Sequence, residues 1–165
     1  MAALIRAANW RSDGPAILSF QKEIYETNFT GFRMGVRFLR DYEQQLKAAL
    51  RSSSERVLVL EVDGEVAGFI WLALLVTMVD PLVGYIKNIY VVPTLRGRGY
   101  ARQLLAEADA WFRSHGCPKA ALDATISNTR AVQLYLSTGY EPVRYRMEKS
   151  YHEGWTGRLG LGEES

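Results

Sequence analysis

The sequence predicts a mixed α/β (α+β) fold, with a central, twisted, mostly antiparallel sheet of six to seven strands, one parallel pair and about four helices. Three observations lead there. Hydrophobic periodicity switches repeatedly between helical spacing and strand-like runs, giving the order β-α-α-β-β-β-α-β-α-β(β). Asp63-Gly64 between two apolar runs is the strongest short hairpin signal in the chain and makes the middle of the sheet antiparallel. The strand–helix–strand stretch from Val83 to Thr125 calls for a right-handed crossover, which supplies the parallel pair.

The elements follow in order. Leu4 to Ala8 is a short apolar strand. Asp13-Gly14-Pro15 opens a helix, with Asp13 as cap and Ile17, Phe20 and Ile24 at helical spacing. Glu26 to Gly35 mixes aromatics with breakers and reads as a loop. Val36, Leu39, Leu46 and Leu50 mark a second helix. Val57 to Val62, Glu65 to Val79 and Val83 to Val92 form an antiparallel meander, with Asp80-Pro81 turning the last corner. Pro93 to Arg98 is a loop. A helix then runs from Gly99 to about Ser114, with Leu104, Leu105, Ala108, Trp111 and Phe112 as its apolar stripe. Ala120 to Thr125 is a strand, Asn128 to Thr138 a helix with Gly139 at its C-cap, and Tyr140 to Lys149 one or two closing strands.

Composition bounds the function. The chain has 165 residues, 48% apolar and 23% charged, which suits one globular domain over residues 1–150 followed by a loose tail over 151–165. That tail carries a net charge of −2 and leaves +4 on the rest, too little for a wholesale nucleic-acid binder, so no nucleic-acid partner is expected. The single cysteine, Cys117, excludes an internal disulfide framework and a Cys-rich zinc site, and it reads as a turn residue between Gly116 and Pro118. With only His115 and His152, no metal site is expected. The longest uncharged run, Val66 to Val79, has 14 residues, short of a membrane-spanning helix. No apolar signal segment follows Met1-Ala2-Ala3, so a cytoplasmic protein without a membrane partner is expected.

The chemistry concentrates at Arg96-Gly97-Arg98-Gly99-Tyr100-Ala101, between a strand and an amphipathic helix. Small residues there let backbone N–H groups approach an anion, and the helix N-terminus adds partial positive charge. Arg96, Arg98 and Arg102 crowd the same turn, with no acid before Glu107. This suits a pyrophosphate; the same residues also suit a tight turn with solvated arginines. A Walker A ending is absent, and Arg102 stands where a dinucleotide fingerprint needs Gly or Ala. Further on, Asn128 and Tyr135 lie seven residues apart, two helical turns, so both share one face with Ala131 and Val132 between them. That face can line an extended ligand, or it can be an N-cap and a core tyrosine.

Two stretches carry a resemblance. Ile89-Tyr90-Val91-Val92-Pro93 followed by Arg96-x-x-Gly99-x-Ala101 resembles the acyl-CoA loop of the GNAT acetyltransferases. Asn128-x-x-Ala131-x-x-x-Tyr135-x-x-x-Gly139-Tyr140 resembles that family's second cofactor motif. The resemblance is specific from about Ile86 to Val143 and implies a GNAT-like fold. It further implies acetyl-CoA as cosubstrate and transfer of an acetyl group to a primary amine through a tetrahedral intermediate. Ile89, Tyr90 and Val91 would supply backbone contacts, Arg96 to Arg102 and Asn128 would hold the cofactor, and Tyr135 would protonate the departing thiolate. Asp123 stands where ribosomal-protein N-terminal acetyltransferases carry the proposed base; it also suits a solvated strand end. The acidic pair of polyamine-acetylating relatives is replaced by Lys87-Asn88. Phe29, Phe32 and Arg33 would line the acceptor side with Lys87, since alternation places Tyr85, Lys87, Ile89 and Val91 on one face. A small-molecule amine is the expected acceptor, with a peptide N-terminus, or a catalytically silent acyl-CoA-binding module, as alternatives. The sequence leaves room for a homodimer.

Overall fold

The computed structural model describes residues 1–151, so the expected tail beyond Tyr151 lies outside the described residues. The chain folds into two compact units. One is built from residues 1–21 and 35–123, the other, among the described residues, from 22–34 and 124–151.

The first unit carries one five-stranded sheet. β1 (Ala3–Ala7), β2 (Glu55–Val62), β3 (Glu65–Leu75) and β4 (Val83–Val91) pair in sequence order, each antiparallel to the next. β5 (Ala120–Leu122) closes the sheet parallel to β4, along Gly84, Tyr85 and Ile86 only. Asp63 and Gly64 turn β2 into β3 with φ of 51° and 84°, the two positive values that a two-residue hairpin of right-handed twist requires. Val57 to Leu60 are at most 4% exposed. β2 is thus covered on both faces, which is why it reads as an unbroken apolar run.

α1 (Trp10–Asn28) and α2 (Val36–Ala49) supply one cover and α3 (Tyr100–Ser114) the other. Phe20 of α1 stacks on Phe69 and Tyr90, and Tyr42 of α2 meets Trp71 edge-on at 5.5 Å. On the opposite face Phe112 of α3 lies so close to Gly84 that a Cβ there would come within 2.5 Å of its ring. Leu104, Leu105, Ala108 and Phe112 are buried, as the apolar stripe predicts.

Two boundaries here differ from the sequence expectation, the start of α1 and the end of β3. α1 begins at Trp10, because Asn9 caps it: its side-chain oxygen accepts the Arg11 N–H at 2.9 Å. Asp13 is not the cap. It is 1% exposed, accepts two bonds from the Arg6 guanidinium at 2.8 and 2.9 Å, and takes the Asn9 N–H at 2.7 Å. β3 stops at Leu75 rather than Val79, because Thr77 folds the chain into a turn: its hydroxyl accepts the Asp80 N–H at 2.8 Å.

In the second unit, α1 continues to Asn28, so Glu26, Thr27 and Asn28 of the expected loop are helical. α4 (Thr129–Ser137) has Thr138 as its C-cap, one residue before the expected Gly139, which follows in the left-handed region at φ 99°. The Tyr140 N–H reaches back to the Tyr135 carbonyl at 3.0 Å, and the two rings meet at 6.0 Å, a capping motif with its apolar clasp. The closing strands expected over Tyr140 to Lys149 do not form a ladder. The described sheet therefore has five strands rather than six or seven. Val143, Tyr145 and Met147 alternate with charged residues in strand fashion, but they are 85, 82 and 90% exposed. A strand pattern that buries no apolar face gains little from pairing.

Candidate active site

The C-terminal half of β4 positions the first group of residues. β5 accompanies β4 only to Ile86, so β4 runs from Lys87 to Val91 without that neighbour. The ladder to β3 also slips here: Leu72 pairs with Ile86 and Trp71 with Asn88, leaving Lys87 as the extra residue of a bulge. The bulge changes the faces. Tyr85, Asn88 and Tyr90 share the side covered by α1 and α2, while Ile89 and Val91 turn to the α3 side. The alternation expected from sequence, with Tyr85, Lys87, Ile89 and Val91 together, is broken at this point.

Lys87 is held by neighbours. Its ammonium lies 3.2 Å from Glu55 and 4.3 Å from the centre of the Trp71 ring. The Trp71 indole N–H donates to the same Glu55 oxygen at 3.0 Å. Next to it, the Tyr42 hydroxyl donates to the Asn88 side-chain oxygen at 2.8 Å. Nothing in the sequence spacing tied Lys87 to Glu55; they meet because β2, β3 and β4 lie side by side.

Past Val91 the chain makes a single 3₁₀ turn (Pro93–Leu95) and enters α3. Arg96 bends back: its Nε donates to the Val91 carbonyl at 2.8 Å and its guanidinium sits 5.3 Å from the Tyr90 ring centre. Arg96 thereby pins the loop to the end of β4. Gly97 and Gly99 take φ of 77° and 86°. Gly99 is the N-cap of α3 and has no side chain to offer. The first-turn N–H groups of Tyr100 and Ala101 have no acceptor within the helix, and no acid lies in that turn. Arg98 and Arg102 are exposed beside it. An uncapped N-terminus with two arginines is suited to a doubly charged phosphate group.

Asp123 is the first residue beyond β5, exposed, and accepts the Tyr85 hydroxyl on Oδ2 at 2.5 Å. Tyr85 had no role assigned from sequence. The signal that finds it is the parallel register, which pairs Tyr85 with Ala121, two residues before Asp123. Cys117 lies in the turn after α3, and burial pushes its thiol above the ordinary value, so it is not an activated nucleophile.

The second unit holds the remaining residues. Asn128 caps α4 by accepting the Ala131 N–H at 3.4 Å, and its NH₂ donates to the Asn28 side-chain oxygen at 3.0 Å. Thr125 donates to the Asn28 backbone carbonyl at 3.0 Å, and the Asn28 NH₂ donates to the Ile24 carbonyl at 2.7 Å. Asn28 is thus the partner that the sequence did not reveal, since it stands 100 positions from Asn128. Phe29 and Phe32 both pack on Tyr25, at 5.6 and 5.8 Å, and Arg33 is exposed. Burial raises the Tyr135 phenol to about 12. A phenol so shifted stays protonated at neutral pH and is available as a donor.

No cluster of side chains able to hold a metal occurs among the described residues, and none of their helices is long and apolar enough to cross a membrane.

Comparison with known proteins bears on this arrangement. The profile of the Acetyltransferase (GNAT) family matches residues 19–140. An aminoglycoside N(6')-acetyltransferase type 1 of Stenotrophomonas maltophilia is 33% identical over 88 residues, 51% of this chain and 58% of that protein. The chain spans about half the length of the curated relatives that it first matches. A putative acetyl transferase from Pyrococcus furiosus superposes with a TM-score of 0.73 at 26% identity, over 90% of this chain and 99% of that one. The structure of AAC(6')-Iy in complex with the bisubstrate analog CoA-S-monomethyl-acetylneamine shares the fold, with a TM-score of 0.69 at 20% identity over 92% of this chain and 99% of that one. The family profile covers well over half of the sequence, and the β4–loop–α3 and α4 motifs both fall inside it: the chain belongs to the GNAT acetyltransferase family.

Proposed function

We propose that the protein is an acetyl-CoA-dependent N-acetyltransferase acting on the primary amine of a small molecule. The observation that carries this reading is the β4-to-α3 junction: a bulged strand that outruns its β5 neighbour, then a left-handed Gly99 that opens α3 without a side-chain cap. Such a junction offers two sets of backbone N–H groups. Those of Tyr100 and Ala101 suit the pyrophosphate of acetyl-CoA, with the exposed Arg98 and Arg102 side chains adding charge. Those of Ile89 and Val91, which alternate with the β3-bonded Tyr90 and point away from β3, suit the pantetheine and the thioester carbonyl, where the oxyanion develops.

The chemistry assigned to this chain's groups balances. A neutral amine attacks the thioester carbon, forming the C–N bond. Asp123, directly or through a water, takes the proton that the amine nitrogen sheds. The C–S bond breaks, and the Tyr135 hydroxyl gives its proton to the thiolate; the proton taken from the amine makes good that loss through solvent. Tyr135 suits the donor role because burial keeps it protonated. Asn128 keeps one amide N–H beyond its bond to Asn28, and that N–H can serve the cofactor chain.

Phe29, Phe32 and Arg33 are proposed for the acceptor side. Lys87 offers a substrate less charge than its sequence position implies, because Glu55 compensates it. The relatives named as aminoglycoside acetyltransferases favour a small-molecule amine over a peptide N-terminus. The test is release of free thiol from acetyl-CoA with amino acids, aminoglycosides, polyamines and short peptides as acceptors. Release with a small amine and not with peptides is expected. Acetyl-CoA binding without release in every arm would make the protein a silent acyl-CoA-binding module; release with peptides alone would overturn the acceptor class.

A further inference from the structure

We infer that Tyr85 is a positioning residue for Asp123, holding one carboxylate oxygen so that the other is presented to the amine. This rests on the reading of Asp123 as the base. Three features of the sheet carry it. The parallel ladder ends at Leu122, so the backbone of Asp123 is not held by strand pairing. The carboxylate is exposed, so packing does not select its rotamer. The Tyr85 hydroxyl donates to Oδ2 at 2.5 Å, the one hydrogen bond from another side chain that fixes this carboxylate among the described contacts.

Tyr85 is itself well anchored. It lies in β4, where Ala73 of β3 and Ala121 of β5 flank it, so its ring starts from a paired strand on both sides. Burial, and then the adjacent Asp123 carboxylate, push the phenol well above its ordinary value, so it remains a donor wherever the enzyme works. A rigid donor on one oxygen leaves Oδ1 as the acceptor for the amine proton. A base placed within hydrogen-bond reach in one orientation serves better than one that samples several. The hydroxyl lies on the carboxylate and takes no part in bond making, so Tyr85 acts through Asp123 and not on the substrate.

The experiment is a double-mutant cycle on the full chain with Tyr85→Phe, Asp123→Asn and the pair. The readouts are kcat at saturating acetyl-CoA with the best acceptor of the screen, KM for both substrates, and Tm. Hydrogen bonds to charged groups are strong enough that Tyr85→Phe should lower kcat about tenfold or more. KM for acetyl-CoA and Tm should stay near wild type, since the ring is kept. In the Asp123→Asn background the added Tyr85→Phe change should alter kcat less than about twofold. A Tyr85→Phe variant at full kcat, with Asp123→Asn slow, overturns the positioning role and leaves the base reading standing. Equal Tyr85→Phe losses in both backgrounds also overturn it, by showing that Tyr85 acts independently of Asp123. An Asp123→Asn variant at full kcat overturns the base reading, and the positioning role with it.

Discussion

Tyr135 shows how a group's surroundings bear on the role proposed for it. Desolvation disfavours a phenolate, so burial raises the phenol to about 12 and the neutral, proton-donating form persists through the working range. Tyr135→Phe keeps the ring and its edge-on contact with Tyr140 but removes the proton. We expect kcat to fall by roughly 10²–10⁴ with acetyl-CoA affinity unchanged, measured by steady-state kinetics beside equilibrium binding. A variant at full kcat would show that water protonates the thiolate. Asp13 presents the opposite balance. Burial works against its carboxylate, but the Arg6 guanidinium and the Asn9 amide outweigh that and hold it below its ordinary value of 3.8. Its folded-state value therefore lies below the unfolded one, so its contribution to stability is full above the unfolded value and is lost as pH falls through the folded one. Thermal melts from neutral pH into the acid range should show Asp13→Asn destabilised by about 2–3 kcal/mol near neutrality and the difference shrinking in acid. A constant difference would mean the pair contributes shape and not charge. The sequence placed Asp13 at the right helix but in the wrong office, because its partner Arg6 is brought to it by the strand before the helix and not by local spacing.

At the scale of elements, the β4-to-α3 junction was legible because its signals are local: a strand, two glycines and an apolar stripe follow one another in the chain. The bulge was not. It arises from a slip between Trp71 and Leu72 on the neighbouring strand, and no residue type announces it. It moved Ile89 and Val91 to the other face and set Lys87 against Glu55 and Trp71. Two measurements follow from this. Gly99 has open space around an added Cβ but a φ of 86°, so Gly99→Ala carries only the backbone cost, about 1 kcal/mol. Gly99→Glu adds a negative charge where the pyrophosphate is proposed to sit, and acetyl-CoA affinity should drop at least tenfold, ~1.4 kcal/mol, beyond the alanine variant. Equal affinities for the two variants would remove the phosphate assignment from α3. For Lys87, reversal to Glu places two carboxylates together and should lower Tm, while the swap Lys87→Glu with Glu55→Lys should restore most of it. If the swap restores Tm and leaves kcat/KM for every acceptor unaltered, Lys87 is a structural residue of the sheet rather than a selector of substrate charge.

On the scale of the whole molecule, the sequence conveyed the order of the elements through α4 and the antiparallel-to-parallel change in the sheet, since both depend on periodicity and connection length. It could not convey that residues 22–34 fold with residues 124–151, because the bonds between Asn28 and both Thr125 and Asn128 join positions far apart in the chain. The family membership then links stability to ligand. A ligand that binds the folded chain and not the unfolded one stabilises it by mass action, about 2.7 kcal/mol at a hundred times Kd. For a chain of this length that is a rise in Tm of roughly 5–10 °C. Acetyl-CoA should produce this rise in the wild type and in Tyr135→Phe alike, because the latter is assigned to chemistry and not to binding. Gly99→Glu should show little rise at the same concentration, although its Tm without ligand stays close to that of Gly99→Ala. Differential scanning fluorimetry over a titration of acetyl-CoA, read beside the same titration with free coenzyme A, separates the contributions. A shift of similar size with both ligands places most of the binding on the pyrophosphate and pantetheine, as the α3 N-terminus implies. A shift in Gly99→Glu equal to that of the wild type would locate the cofactor elsewhere on the chain.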